Sequence, residues 1–376
     1  MPTMDNLTEN SLTRRHFIAS LAASGAAISL PESGQAEPAL SAHNEANGLA
    51  ATSRAPHAPI QIVCTERLSA AEAEQIRAAG KNIQLHLLGE ASDPAKLLAE
   101  AEVILGSVDA RTVLAAPKLK WVQTWAAGVE RAPAELMAHP SQLTNMQRVF
   151  APVIAESAIA LLLSLTRGLA QTSIPAFGDR KWVHPPGSVV LDDLYGKTIG
   201  IVGMGGIGSE TARRLHYGFN MKVLATDAKP LPRPEFVAEL HDPTWLMEMV
   251  PQVDVLMSAA PLTKETRLLF NEAVFSRMKP SAYFINVSRG GLVDQNALVK
   301  VLKEGRIRGA GLDVTTPEPL PADHPLWTCS NLVITPHNSG NAPIRQKRLI
   351  ALVAENVRRY SSGLPLLNVV DKAKGY

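Results

Sequence analysis

Thr198-Ile-Gly-Ile-Val-Gly203-Met-Gly-Gly-Ile-Gly208 is the stretch that decides the fold. It reads as a short apolar strand, a glycine-rich turn and the opening of a helix over Ser209–Tyr217. A second strand, Lys222–Thr226, follows and delivers Asp227, nineteen residues past Gly208. A bare GxGxxG is weak evidence, but a strand before it, a helix after it and an acid at this distance form one βαβ unit. In that unit Gly203 permits the tight turn and Gly205 lets the backbone approach a pyrophosphate. The helix N-terminus faces the phosphates, with Gly206 and Ile207 of the turn among the cofactor-binding positions, and Gly208 lets helix and strand pack closely. Asp227 is placed to accept hydrogen bonds from ribose hydroxyls and to repel a 2′-phosphate, so NAD is expected over NADP. Lys229, two residues on, softens that preference. The competing reading is a glycine turn that joins strand to helix and binds nothing.

Outward from this unit, strands are expected at Val253–Ala259, Ala282–Val287, Gly309–Val314 and Leu332–Thr335, with a helix over Asp294–Glu304 capped by its own aspartate and stopped by Gly305. Six strands alternating with helical patterns are the count of a dinucleotide-binding sheet. Upstream lie strands at Ile60–Thr65, Ile83–Leu88, Val103–Gly106, Leu119–Thr124 and Leu143–Asn145, with a Ser69/Glu72 capping box between the first two. The stretch from Val153 to Arg167 is apolar nearly all round and calls for burial, for instance against a second subunit. After His337 an amphipathic helix with Leu349, Leu352, Val353, Val357 and Tyr360 on one face returns to the first unit. The expected class is α/β: two doubly wound parallel-sheet domains, a Rossmann NAD-binding domain (156–344) inserted into a flavodoxin-like substrate domain (59–155 and 345–376).

Composition excludes several classes of partner. A formal charge of +2 over 376 residues, with 5% aromatics and no basic stripe, argues against nucleic acid. Cys64 and Cys329 lie far apart in or beside apolar segments and read as buried free thiols; no residues have metal-ligand spacing. The first residues do not belong to the fold. Thr13-Arg-Arg-His-Phe-Ile-Ala19 precedes an uncharged run, Ser20 to Leu30, too short to span a bilayer. It resembles a twin-arginine export signal over residues 1–36, with Gly34-Gln-Ala36 offering small residues for cleavage. Residues 37–58 then read as a tether with no core of its own. A periplasmic protein that is not membrane-embedded and engages the twin-arginine machinery is expected; an accidental Arg-Arg pair in a cytoplasmic protein is the alternative.

Three residues carry the chemistry. Arg289 lies in Asn286-Val-Ser-Arg-Gly-Gly, Glu318 in Gly311-Leu-Asp-Val-Thr-Thr-Pro-Glu-Pro and His337 in Ile334-Thr-Pro-His, each shortly after an expected strand. Strand ends of a parallel sheet are where ligands sit. A carboxylate beside an imidazole favours its protonated form, which suits a proton donor to a developing alkoxide. An arginine flanked by Gly290 and Gly291 can fork onto a carboxylate and its neighbouring carbonyl. Taken singly, the histidine reads as structural and the arginine as a surface ion pair; three on consecutive strand ends do not. Asp313 either touches the nicotinamide amide or caps a turn. Pro261-Leu-Thr-Lys-Glu-Thr266 lines the cofactor cleft or is a plain loop.

These motifs in this order make residues from about 60 to 376 resemble the D-isomer-specific 2-hydroxyacid dehydrogenase family. The resemblance rests on Gly203–Gly208, Pro261–Thr266, Asn286-Val-Ser-Arg-Gly-Gly-Leu-Val-Asp294, Gly311-Leu-Asp-Val314 and Thr335-Pro-His337. It implies a substrate-binding Arg289, a tuning Glu318 and an acid–base His337. It also implies a loop, Ala127-Gly128-Val129, whose backbone N–H groups hold the substrate carboxylate, and a dimer built on Glu156–Arg167. Pro261, Thr266, Val287, Ser288 and Asp313 fall among the cofactor-binding positions. The reaction implied is hydride transfer between NAD(H) and a small 2-keto acid, of the glyoxylate or hydroxypyruvate kind. Asn338-Ser-Gly340 departs from the Gly-Gly often found there, and Glu318 argues against formate, whose dehydrogenases carry glutamine at that position. Trp125 and Trp327 either narrow the pocket or serve packing. A non-catalytic NAD-binding sensor and a dehydrogenase of another small oxyanion such as phosphite are the alternatives. Because free NAD is scarce outside the cytoplasm, an exported enzyme is expected to carry its nucleotide with it.

Overall fold

The computed structural model describes residues 58–376; the expected export signal and most of the expected tether lie outside the described residues. The first sheet has five strands, β1 (Ile60–Cys64), β2 (Ile83–Leu87), β3 (Val103–Leu105), β4 (Trp121–Gln123) and β5 (Gln142–Thr144), in the order β2-β1-β3-β4-β5. The second has seven: β6 (Thr198–Val202), β7 (Lys222–Thr226), β8 (Glu239–His241), β9 (Val255–Ser258), β10 (Tyr283–Asn286), β11 (Gly309–Leu312) and β12 (Leu332–Ile334). Their order is β12-β11-β10-β9-β6-β7-β8, and every pair in both sheets is parallel. The first order is that of flavodoxin-like sheets. The second is a Rossmann order with one further strand, and its switch point lies between β6 and β9.

Parallel strands covered on both faces are apolar throughout, and β3, β6, β9 and β10 bury nearly every residue. Five helices organise the rest: α1 (Ala70–Arg77), α2 (Ala151–Thr166), α3 (Gly206–Phe219), α4 (Gln295–Lys303) and α5 (Arg345–Ser361). The capping box at α1 is present, with Ser69 accepting from Glu72 N and Glu72 accepting from Ser69 N. Asp294 caps α4 by accepting from Asn296 and Ala297 N–H. In α5, Leu349, Ile350, Leu352, Val353 and Val357 pack with Ile60, Ile62 and Trp121 of the first sheet, so the seven-stranded unit is inserted between two parts of the five-stranded one.

Two sequence expectations change here. β8 was not expected: a polar edge strand of three residues has no apolar period to reveal it. α3 begins at Gly206 rather than Ser209, because the last glycines of the turn already form its first helical residues. One side of α2 is buried on the second sheet, where Leu161, Leu162 and Leu165 pack with Ile199, Ile201 and Ile285, and Ile154, Ile159 and Leu163 are partly buried. A group of large apolar side chains left exposed lies just beyond it, at Ile174, Phe177, Trp182, Val190 and Tyr195. Among the described residues no single helix is long and apolar enough to cross a membrane, and no group of three or more His, Cys, Asp or Glu could hold a metal. Cys64 and Cys329 are free and buried.

Candidate active site

The glycine turn sits at the switch point. Gly203 has φ +98, and a Cβ there would lie 2.8 Å from the backbone of Ala259 and Ala260, so the turn is pressed against the start of the 259–266 loop. A side chain at Gly208 would overlap Gly203 O. Gly205, by contrast, has nothing within 4 Å of its Cβ position, and it caps α3 without any side-chain hydrogen bond. An uncapped helix N-terminus beside open space is a cradle for phosphate. Asp227 bends back to this turn: Oδ2 accepts from Met204 N at 2.7 Å and Oδ1 from Lys229 N at 2.8 Å. Lys229 Nζ rests 4.7 Å from the ring centroid of Tyr376. The loop Pro261–Thr266 is folded on itself, with Thr266 Oγ1 donating to Pro261 O at 2.7 Å and accepting from Thr263 N.

The acid–base pair is formed. His337 Nδ1 and Glu318 Oε2 are 2.8 Å apart, and Glu318 Oε1 accepts from Thr315 N at 3.1 Å. With Nδ1 on a carboxylate, the tautomer that leaves Nε2 for chemistry is favoured in the neutral ring. The His337 side chain is 46% exposed and Nε2 makes no hydrogen bond among the described residues. Its backbone is in the left-handed region, φ +50, where a residue of this kind is strained and must be held. The holder is Asp313. Its backbone oxygen accepts from His337 N, and its buried carboxylate accepts from Thr335 Oγ1 (2.6 Å), Asn338 N (3.1 Å) and Ser339 N (3.2 Å). Of the two roles open to Asp313 in the sequence, fixing the turn is the one these bonds provide.

Arg289 is carried by a turn braced through Asn286, whose Oδ1 accepts from Ser288 N and Oγ and whose Nδ2 donates to Arg289 O. Gly290 is pressed so closely on Thr315 that a Cβ would overlap its carbonyl, which sets the Arg289 turn against the loop of Glu318. Gln295 clamps that loop from the start of α4, exchanging two hydrogen bonds with Thr316. Arg289 Nη1 donates to Ser288 O at 2.7 Å, and Nε donates to Glu130 Oε1 at 3.0 Å across the cleft. Its Nη2 lies against Gly128, so the Ala127–Val129 loop and Arg289 meet. Ala127 O accepts from Asn145 Nδ2 at 2.7 Å, and Val129 is anchored in the first domain's core.

Val287 and Ser288 follow β10 and carry the chain into the Arg289 turn. Val287 is packed in the core with Ile285 and Leu161, and Ser288 Oγ is buried on Ser258 and Asn286. Their side chains brace the turn. Trp125 packs against the first domain's core, while Trp327 is half exposed and donates to Pro321 O. Sequence reasoning missed Glu130, Asn286, Gln295 and Arg148. Arg148 is exposed, has φ +71 and lies against Gly206 at the mouth of the phosphate cradle. Asn286 had a local signal, an Asn two residues before Ser at a strand end, which is an Asx-turn pattern; the other three had none.

A Rossmann sheet with a free phosphate cradle, facing a second α/β domain across a cleft that contains a His–carboxylate pair and an arginine, defines a nucleotide-dependent dehydrogenase. Residues 159–339 match the family described as D-isomer specific 2-hydroxyacid dehydrogenase, NAD binding domain. The chain is 37% identical over 268 residues to a glyoxylate reductase of Korarchaeum cryptofilum, covering 70% of this chain and 80% of that protein. It belongs to the D-isomer-specific 2-hydroxyacid dehydrogenase family and is an oxidoreductase. Among solved structures, a D-isomer specific 2-hydroxyacid dehydrogenase family protein from Aeromonas salmonicida superposes with a TM-score of 0.71 at 30% identity, over 84% of this chain and all of that one. An NADPH-dependent glyoxylate/hydroxypyruvate reductase from Sinorhizobium meliloti, in complex with NADP and sulfate, superposes at 0.67 and 26% identity, over 85% of this chain and all of that one.

Proposed function

We propose that this protein reduces a small 2-keto acid of the glyoxylate or hydroxypyruvate kind to its D-2-hydroxy acid, and catalyses the reverse oxidation. The observation that carries the reading is the His337–Glu318 pair at 2.8 Å, one loop from Arg289. Arg289 and the N–H groups of the Gly128 loop hold the substrate carboxylate and turn its carbonyl toward His337. His337 delivers a proton to the carbonyl oxygen as it becomes an alkoxide, and Glu318 keeps the ring oriented through Nδ1. The dinucleotide, when bound, supplies or accepts the hydride. Gly203–Gly208 and the start of α3 would take its pyrophosphate, with the Arg148 charge at hand, and Asp227 its adenosine ribose.

Asp227 supports a preference for NAD over NADP, because a 2′-phosphate would meet its carboxylate; the ratio of kcat/KM with NADH and NADPH checks this. The exposed apolar residues Phe177, Trp182 and Tyr195 support a homodimer in which the segment after α2 packs on a second copy; light scattering after gel filtration reads the mass. Arg14-Arg15 and the run behind them support export of the folded protein to the periplasm with its nucleotide bound. Periplasmic protein that releases no NAD(H) on denaturation would remove that last reading. For the chemistry, His337→Gln should cut turnover of glyoxylate by about a hundred- to ten-thousandfold with nucleotide affinity retained. Wild-type protein that binds NADH yet turns over no keto acid would overturn the proposal.

A further inference from the structure

The loop after β4 contains an acid that the proposed reaction does not call for. Glu130 directly follows Ala127-Gly128-Val129 and accepts from Arg289 Nε at 3.0 Å. Its carboxylate also folds back over Gly128. A Cβ at Gly128 would lie 2.8 Å from Glu130 Oε1 and closer still to Oε2 and to Arg289 Nη2. Gly128 and Arg289 are the two groups that the reading above assigns to the carboxylate of the substrate. Arg289 Nη1 donates to Ser288 O and Nε to Glu130, so Glu130 sits at the Nε and Nη2 side of the guanidinium, the side-on fork that suits a carboxylate. The ion pair joins loops of the two domains, and about a third of each side chain is open to solvent.

We propose that Glu130 is an internal stand-in for the substrate: its carboxylate occupies the seat of the 2-keto acid's carboxylate, and substrate binds by displacing it. The inference rests on the keto-acid reading. With Glu130 in place the seat is neutral and Arg289 is held ready. An incoming carboxylate replaces one anion with another, and Glu130 swings out to water through the open side of the pair. A partly exposed ion pair is weak, so the competition lowers substrate affinity by about two- to fivefold rather than abolishing binding.

The test is Glu130→Gln, read in two ways on protein saturated with NADH or NAD. Calorimetry measures binding of oxamate, an unreactive carboxylate beside a carbonyl, and steady-state kinetics measure KM and kcat for glyoxylate. The expected result is that the oxamate Kd and the glyoxylate KM both fall by about two- to fivefold while the KM for NADH stays put. A rise in KM with a fall in kcat would overturn the proposal and make Glu130 a residue that orients Arg289. Unchanged values would make it a bystander. Wild-type protein that binds no oxamate and reduces no keto acid would overturn the keto-acid reading itself, and this proposal with it.

Discussion

Asp313→Asn is a near-isosteric change, and the structure gives its consequence step by step. The carboxylate is 2% exposed and takes three hydrogen bonds, from Thr335 Oγ1, Asn338 N and Ser339 N. An asparagine can keep one oxygen toward Thr335 and Asn338. Its amide nitrogen then faces the buried N–H of Ser339, donor against donor, and leaving that group unsatisfied costs about 1–3 kcal/mol. The two retained bonds change from charged to neutral acceptors, about 1 kcal/mol each. Relief of the cost of burying a charge offsets part of this, leaving a net loss of about 2–3 kcal/mol. The loss falls on a turn that already holds His337 at φ +50, a conformation costing about 1–3 kcal/mol. The turn therefore opens before the domain does. Expressed as misplacement of His337, the loss amounts to about a thirty- to hundredfold fall in kcat/KM for glyoxylate, with nucleotide affinity little changed. Hydrogen exchange of residues 335–340, measured alongside kinetics, checks the cause. Exchange at the wild-type rate with kcat/KM within about twofold of wild type would refute the reasoning.

Glu318→Gln keeps a hydrogen-bonding group beside His337 Nδ1 but replaces the carboxylate that holds the ring with an amide that can turn either its oxygen or its N–H toward it; keto-acid reduction should slow by at least about tenfold, and a kcat within about twofold of wild type would show that the carboxylate is not needed. Gly290→Ala drives a methyl group into the Thr315 carbonyl and separates the Arg289 turn from the Glu318 loop; soluble protein with a kcat/KM reduced by at least about tenfold is expected, and unchanged kinetics would show that the two loops need not touch. Burial pushes the Cys64 thiol up to about 11 and that of Cys329 upward as well. Ellman's reagent at pH 8 should therefore find almost no thiol in the native protein and two per chain in guanidinium, whereas prompt reaction of the native protein would show that these sites open readily.

How much of this was legible depends on whether the cause was local. Strands buried on both faces announce themselves as apolar runs, and all five strands of the first sheet lie within or beside their expected ranges. Caps are local too, so Ser69, Glu72 and Asp294 were readable. β8 was not, since Glu239–His241 is polar, short and on an edge. Arg289, Glu318 and His337 could be singled out because each stands shortly after a strand in a distinctive loop. What holds them could not. Gln295 on Thr316, Asn145 on Ala127 and Glu130 on Arg289 are contacts between segments separated by up to 159 residues, made by residue types common on any surface. Their partners become visible only when two strand ends are placed side by side.

The sheet order explains why the catalytic turn needs such a holder. Arg289, Glu318 and His337 follow β10, β11 and β12, three neighbours at one side of the seven-stranded sheet. β10 is flanked by strands on both sides and buried throughout, so packing fixes where its turn emerges. β12 is the edge strand and each of its three residues is only partly buried. An edge strand constrains its following loop weakly, because one row of its backbone groups has no strand to pair with. The turn at His337 takes its rigidity instead from β11, through the backbone and carboxylate of Asp313, the first residue beyond that strand. Glu318 arises from the same strand end and grips the imidazole. Both constraints on His337, one on its backbone and one on its ring, thus come from the strand beside it. Such an arrangement lets a proton donor stand exposed at the cleft while its position is set by a buried neighbour.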